Sequence, residues 1–214
     1  MRKHTVWMIP VLMAFATLCP AQQYELGALG GYGTALGLSA KSAAGASADT
    51  GIRGGVALGV FFSDSLYKYI GGEFQYLYRA GRLRVESGGE SASLPGRSHL
   101  FHYDFVFHSR PPGERIRPFA AAGIGARLYQ GTGVERAFQP LSQFVLLTKT
   151  SDAKVLFTVG GGVKWFRSNG MSVRFEVRDY FTPAPTGVLF PPPGAKVGGW
   201  LHDIVPQVGI AYTF

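Results

Sequence analysis

The stretch His99-Leu-Phe-His-Tyr-Asp-Phe-Val-Phe-His-Ser109 alternates without a break. Phe101, Tyr103, Phe105 and Phe107 share one parity, and His102, Asp104, Val106 and His108 share the other. Side chains alternate across a strand, whereas a helix would scatter these two sets around its circumference. The segment is therefore a strand with an aromatic face and a polar face.

Working outward, three more segments repeat the pattern. Phe74, Tyr76 and Tyr78 oppose Glu73, Gln75 and Arg79; Val173, Phe175 and Val177 oppose Arg174, Glu176 and Arg178. In the last segment Ile204, Val208, Ile210, Tyr212 and Phe214 oppose Gln207, Gly209, Ala211 and Thr213. Four weaker strands, diluted by glycine and alanine, are read at Tyr24 to Leu38, Gly51 to Phe62, Arg117 to Tyr129 and Val155 to Arg167. In the second of these, Arg53, Gly55, Ala57, Gly59 and Phe61 share the polar-side parity. The inward glycines, such as Gly31, Gly33, Gly123, Gly125, Gly160 and Gly162, are expected to relieve crowding.

The connections alternate in length. Ser63–Ser65, Arg110–Arg115 and Ser168-Asn169-Gly170 are short, the last a strong hairpin signal. Ser39 to Thr50, Val85 to Ser98, Gln130 to Lys154 and Thr182 to His202 read as long loops. Short turns on one side and long loops on the other fit an outer-membrane barrel. In lipid every backbone polar group must be paired, so eight such strands close into an antiparallel up-and-down transmembrane β-barrel, an all-β fold.

Composition agrees. Glycine stands at 30 of 214 residues and charged residues at 16%, below the roughly 25% of soluble domains. No apolar run reaches the length of a membrane-crossing helix. Residues 1–21 read as a signal peptide: Arg2, Lys3 and His4, then an apolar stretch from Val6 to Leu18, then Cys19 and Ala21 before cleavage ahead of Gln22. Residues 22–214 are then the barrel domain, with no cysteine for a disulfide or thiolate site. The net charge of +8 suits anionic headgroups or surface polysaccharide; nucleic acid is not an expected partner of an exported barrel.

Alternation alone leaves open which face meets lipid, since a lipocalin-type barrel would turn its apolar face inward. Aromatics near strand ends (Tyr67, Tyr69, Tyr129, Trp165, Phe166, Tyr180, Phe181, Tyr212) suggest interfacial girdles. The polar parity mixes both signs sparsely, as a narrow lumen would. The segment Val208-Gly-Ile-Ala-Tyr-Thr-Phe214 looks like the C-terminal signal read by the barrel-assembly machinery. With the loop–turn order, the chain resembles small eight-stranded outer-membrane proteins of the OmpA/OmpX-like superfamily. That resemblance implies an outer-membrane location, lipid and lipopolysaccharide as surroundings, and Val208, Ile210, Tyr212 and Phe214 as the assembly signal.

The inward ionisable set is Glu25, Arg53, Glu73, Arg79, His102, Asp104, Arg127, Lys164, Arg174, Glu176 and Arg178. Buried charges must pair, so these are expected to plug the lumen, with Glu73 and Glu176 against Arg174 and Arg178 at the core. The competing reading is a polar conduit or gate. His102 and His108 share a face but lie about 20 Å apart along a strand, too far to ligate one metal. No nucleophile accompanies His102 and Asp104, and no serine accompanies His202 and Asp203. Some barrels of this architecture are lipid A acyl transferases or deacylases. Here no catalytic, metal or cofactor set is read, and the protein is expected to be a non-enzymatic structural or surface-recognition barrel. A narrow porin-like channel and a lipid A-modifying enzyme are the alternatives. Within the loop from Gln130 to Lys154, Phe144-Val-Leu-Leu147 reads as an exposed apolar stretch forming extra β-structure above the membrane.

Overall fold

The structure, a computed structural model, describes residues 23–36, 38–167 and 169–214, so the signal-peptide reading of 1–21 lies outside the described residues. All regular elements among the described residues are strands: β1 (Tyr24–Leu36), β2 (Leu38–Lys41), β3 (Ser47–Arg53), β4 (Gly55–Ser65), β5 (Ile70–Ser87), β6 (Glu90–His108), β7 (Ile116–Gly131), β8 (Leu146–Leu147), β9 (Ser151–Phe166), β10 (Met171–Pro183), β11 (Leu189–Phe190), β12 (Lys196–Gly198) and β13 (Trp200–Thr213). Eight of these close a ring through the order β5-β4-β1-β13-β10-β9-β7-β6, with β6 pairing back onto β5. Each contact in the ring is antiparallel. The first and last strands meet along almost their full length, from Glu25–Thr213 to Leu36–His202. No edge is left unpaired at the level of the wall, which is the condition lipid imposes.

The short turns fall at one end. Asn169 (φ 71°) and Gly170 (φ 74°) both adopt the left-handed conformation, which asparagine and glycine reach most readily. At the other end several expected loops are strand. Val85 to Ser98 is not a loop: β5 and β6 continue through it to a two-residue tip, Gly88 (φ 59°) and Gly89 (φ 85°), with Ser87 paired to Glu90. Ser39 to Thr50 likewise folds as the β2–β3 hairpin.

These extensions carry the barrel beyond its aromatic wall and enclose a second interior. Leu38, Ala40, Leu83, Val85 and Leu94 point into it and are buried with Phe144, Val145 and Leu147. Of the Phe144–Leu147 stretch only Leu146–Leu147 is extra β-structure, and Phe144, Val145 and Leu147 are buried rather than exposed. Leu147 pairs with Leu189 of β11, and the Gln139 side-chain amide both donates to the Leu147 carbonyl (2.9 Å) and accepts from its N–H (3.0 Å). A carboxamide has the donor and acceptor of a peptide group, so Gln139 substitutes for a neighbouring strand here.

Candidate functional site: the charge-filled lumen

Inside the wall the polar parity of each strand meets that of the strands opposite. Glu73 on β5 accepts hydrogen bonds from Arg174 (2.7 and 3.2 Å), Arg178 (2.6 Å) and Ser63 (2.8 Å). Glu176 bridges the same two arginines, at 2.5 Å from Arg174 and 3.2 Å from Arg178. Arg178 also reaches Asp104, which takes further bonds from Thr158 and from His102 (2.8 Å). Lys164 pairs with Glu25 near the turn end, where Ser172 adds a 2.7 Å bond. The Arg174 guanidinium lies 4.4 Å and 5.0 Å from the ring centres of Phe61 and Phe119, so its face is covered as well as its edge.

Above this cluster Ala57, Leu77, Leu100, Leu156 and Val205 make an apolar layer across the lumen. Beyond it sits a second ionic group. Asp203 accepts from Arg79 (3.1 and 3.2 Å) and Arg127 (2.8 Å), and Arg127 donates to Ser98 (3.0 Å). Tyr129 closes this level against Thr182 at 2.6 Å.

Many lumenal glycines are explained by this filling. A Cβ on Gly123 would collide with Asp104, on Gly125 with His102, on Gly160 with Arg178, and on Gly162 with Glu176. Elsewhere in the wall the same close approach is made to apolar groups, as where Gly27 faces the Phe61 ring and Gly59 faces Leu77.

Ten of the eleven lumenal candidates, Glu25, Glu73, Arg79, His102, Asp104, Arg127, Lys164, Arg174, Glu176 and Arg178, are buried inside. Arg53 is not: it is exposed and points outward. Arg53 pairs with Arg82 and Ala57 with Arg79, so three residues on one strand face two on its partner. The extra residue is a β-bulge at Gly54, and a one-residue slip turns every side chain to the opposite face. Three girdle assignments also fail: Tyr129 and Tyr180 are buried in the lumen, at 1% and 0% exposure, where Tyr180 accepts from Gln75 and Gln207, and Phe166 shares the inward parity of Lys164 and packs under Arg117 at the turn end. Tyr67, Tyr69, Trp165 and Tyr212 do face outward. The sequence reading missed Asp203, placed at the outer mouth beside His202. Counting parity back from Gln207 through Val205 would have found it. Val208, Ile210, Tyr212 and Phe214 lie on the outer face of the closing strand, where Phe214 and Tyr24 exchange backbone hydrogen bonds (3.1 and 2.9 Å).

Residues 11–187 match the model of the family described as outer membrane protein beta-barrel domain. The chain belongs to this family. Among solved structures it is similar to Neisserial surface protein A, with a TM-score of 0.54 and 10% identity over 91% of this chain and 100% of that one. It is also similar to the outer membrane protein OprG from Pseudomonas aeruginosa, with a TM-score of 0.55 and 12% identity over 91% and 96% of the two chains. At such identities the likeness is one of fold. No curated protein matches the chain. For an outer membrane β-barrel, the apolar parity is the lipid-facing one: Phe74, Phe101, Phe105, Phe175 and Val208 are all exposed on the outside of the wall.

Proposed function

We propose that this outer membrane β-barrel is a non-enzymatic, non-conducting integral protein of the cell outer membrane, exported by a cleaved signal peptide. Its long hairpins face outward as a structural or recognition surface. The observation that carries the reading is the lumen itself, crossed by two ion-pair clusters with an apolar layer between them. A hydrated ion entering it would have to displace buried, mutually bonded charges, which costs several kcal/mol. Above them the interior is apolar and filled by the Phe144–Leu147 segment. Biogenesis through the barrel-assembly machinery fits the outer face of β13, and an extracellular ligand, if any, meets the hairpin tips.

Planar-bilayer recording tests the closed lumen. The expected result is no stepwise current from the wild-type protein. Steady single-channel currents that vanish on mutating Arg174 or Glu176 overturn it. Mass spectrometry of lipid A with and without the protein tests the non-enzymatic part: the acyl pattern is expected to be unchanged, and a change lost in His202→Ala overturns it.

A further inference from the structure

At the hairpin end of the barrel, a pocket of about 270 Å³ opens beside the first residues of β6. Strand β7 ends at Gly131, opposite Gly96, whereas β6 starts at Glu90. The β6 edge from Ser91 to Pro95 therefore meets the chain segment 132–140 rather than another strand. The two-residue tip makes Ser87 and Glu90 a hydrogen-bonded pair, so the backbone groups of Ala92 and Leu94 turn to β5 and those of Ser91 and Ser93 turn away from it. Pro95 has no N–H, and its carbonyl accepts from the Thr132 N–H at 2.8 Å. Only Ser91 and Ser93 are left as open edge. That is well short of the roughly five or six residues of an ordinary strand, so the place suits a compact ligand rather than an added strand.

The chemistry of the walls is lopsided. Arg82 and Arg136 line the pocket and no acid does. Both arginines are exposed, and neither makes an ion pair or a side-chain hydrogen bond among the described residues. Their neighbours are occupied: Arg84 pairs with Glu86, and Arg97 donates to Gln130 at 2.8 Å. The hydroxyls of Ser91 and Ser93 are exposed and unbonded in the same way. Two guanidinium forks without an acid suit a carboxylate or a phosphate.

The remaining walls are apolar, with Leu94, Val134 and Pro140 among them. Val134 is 86% exposed, so water leaves this apolar surface uncovered. A bare phosphate is polar all round and would use only the arginine side. A sugar ring bearing a carboxylate has an anionic end, hydroxyls along its edge and a C–H face. The volume falls below the roughly 300–1,000 Å³ of sites for drug-sized ligands, as a single ring requires.

We infer that this pocket binds a carboxylated sugar ring of the uronic acid type, free or at the end of a glycan chain. Its carboxylate lies between Arg82 and Arg136, its hydroxyls bond Ser91 and Ser93, and its C–H face lies against Val134 and Pro140. The inference rests on the recognition reading proposed above and names the ligand class of that surface; it does not rest on the closed lumen.

Ligand-observed NMR of the folded protein in detergent tests it, with glucuronic acid and glucose as probes that differ only in the carboxylate. Glucuronic acid is expected to bind and glucose is not. Arg82→Gln and Arg136→Gln are each expected to weaken binding about tenfold, the loss of a charge-assisted bond. Ser93→Tyr, which projects into the pocket, is expected to abolish it. All three positions are exposed, so each variant should keep the heat-modifiable band of the folded barrel. Of glucuronic acid and its methyl glycoside, the tighter binder tells a free sugar from a chain end. No binding of glucuronic acid in large excess overturns the site, as does glucose bound equally well or a double arginine variant that binds like wild type. Vesicles carrying the protein are then offered immobilised polyglucuronic acid and a glutamate-rich peptide. Capture by the peptide alone overturns the sugar site and leaves the recognition surface standing, whereas capture by neither overturns both.

Discussion

Along β5 the same parity points inward from Glu73 to Val85, yet the chemistry of its two faces exchanges part-way. Below Ala80 the inward residues include Glu73, Gln75 and Arg79 and the outward ones are Phe74, Tyr76 and Tyr78. Above Gly81 the inward residues are Leu83 and Val85, and the outward ones are Arg82, Arg84 and Glu86. Strand β6 does the same, with His102 and Asp104 inside below and Leu94 inside above. Nothing in the backbone changes at the crossing; the solvent does. Below it the outside is lipid, so apolar groups face out and polar groups must find each other within. Above it the outside is water, and the ordinary rule of a soluble protein returns. The exchange of faces along an unbroken strand therefore locates the outer membrane surface near Ala80 and Gly81.

Four measurements would break or sharpen this contrast, read as unfolding free energy in lipid vesicles. The largest effect is expected at the ionic centre: Glu73→Ala strands Arg174 and Arg178 beside fewer acids and should cost about 3–5 kcal/mol. A loss below about 1 kcal/mol would mean that the lumen is wet enough to solvate free arginines. In the upper interior, Leu147→Ala should cost about 2–5 kcal/mol, the usual range for a buried leucine. Because its segment is a loop laid into the end of the barrel, the loss should appear as faster proteolysis within 131–150 before the wall unfolds. Simultaneous loss of both regions would show one cooperative unit rather than two. On the outer face of the wall, Tyr76→Lys should cost about 2–4 kcal/mol, as charges facing lipid do. The smallest effect tests the same face beyond the crossing: Ser93→Lys, outward on β6, should stay within about 0.5 kcal/mol. A similar cost at positions 76 and 93 would place both in one environment and refute the boundary.

The wall was legible in the sequence because alternation is a property of each strand alone. His99 to Ser109 and Ser172 to Arg178 declare their two faces without reference to any partner. Loop lengths were less legible. Gly88-Gly89 is a recognisable two-residue hairpin tip, but the polar, glycine-rich segment around it reads as loop, since above the membrane the aromatic face that marked the strand has gone. Arg53 was misplaced because Gly54 inserts one residue, and a bulge leaves no mark in a strand already rich in glycine.

What the sequence by itself determined is the parity of each strand, the alternation of turns and hairpins, and the necessity of closure in lipid. Only the tertiary structure decided which charges meet. Asp203 neutralises Arg79 from 124 positions away, and Glu73 holds Arg178 from 105. Those partners become neighbours only once the ring has closed, and across a narrow lumen the choice among acids and bases depends on stagger between strands. Period-two alternation carries no information about stagger, so the pairing, and with it the plug, belongs to the fold.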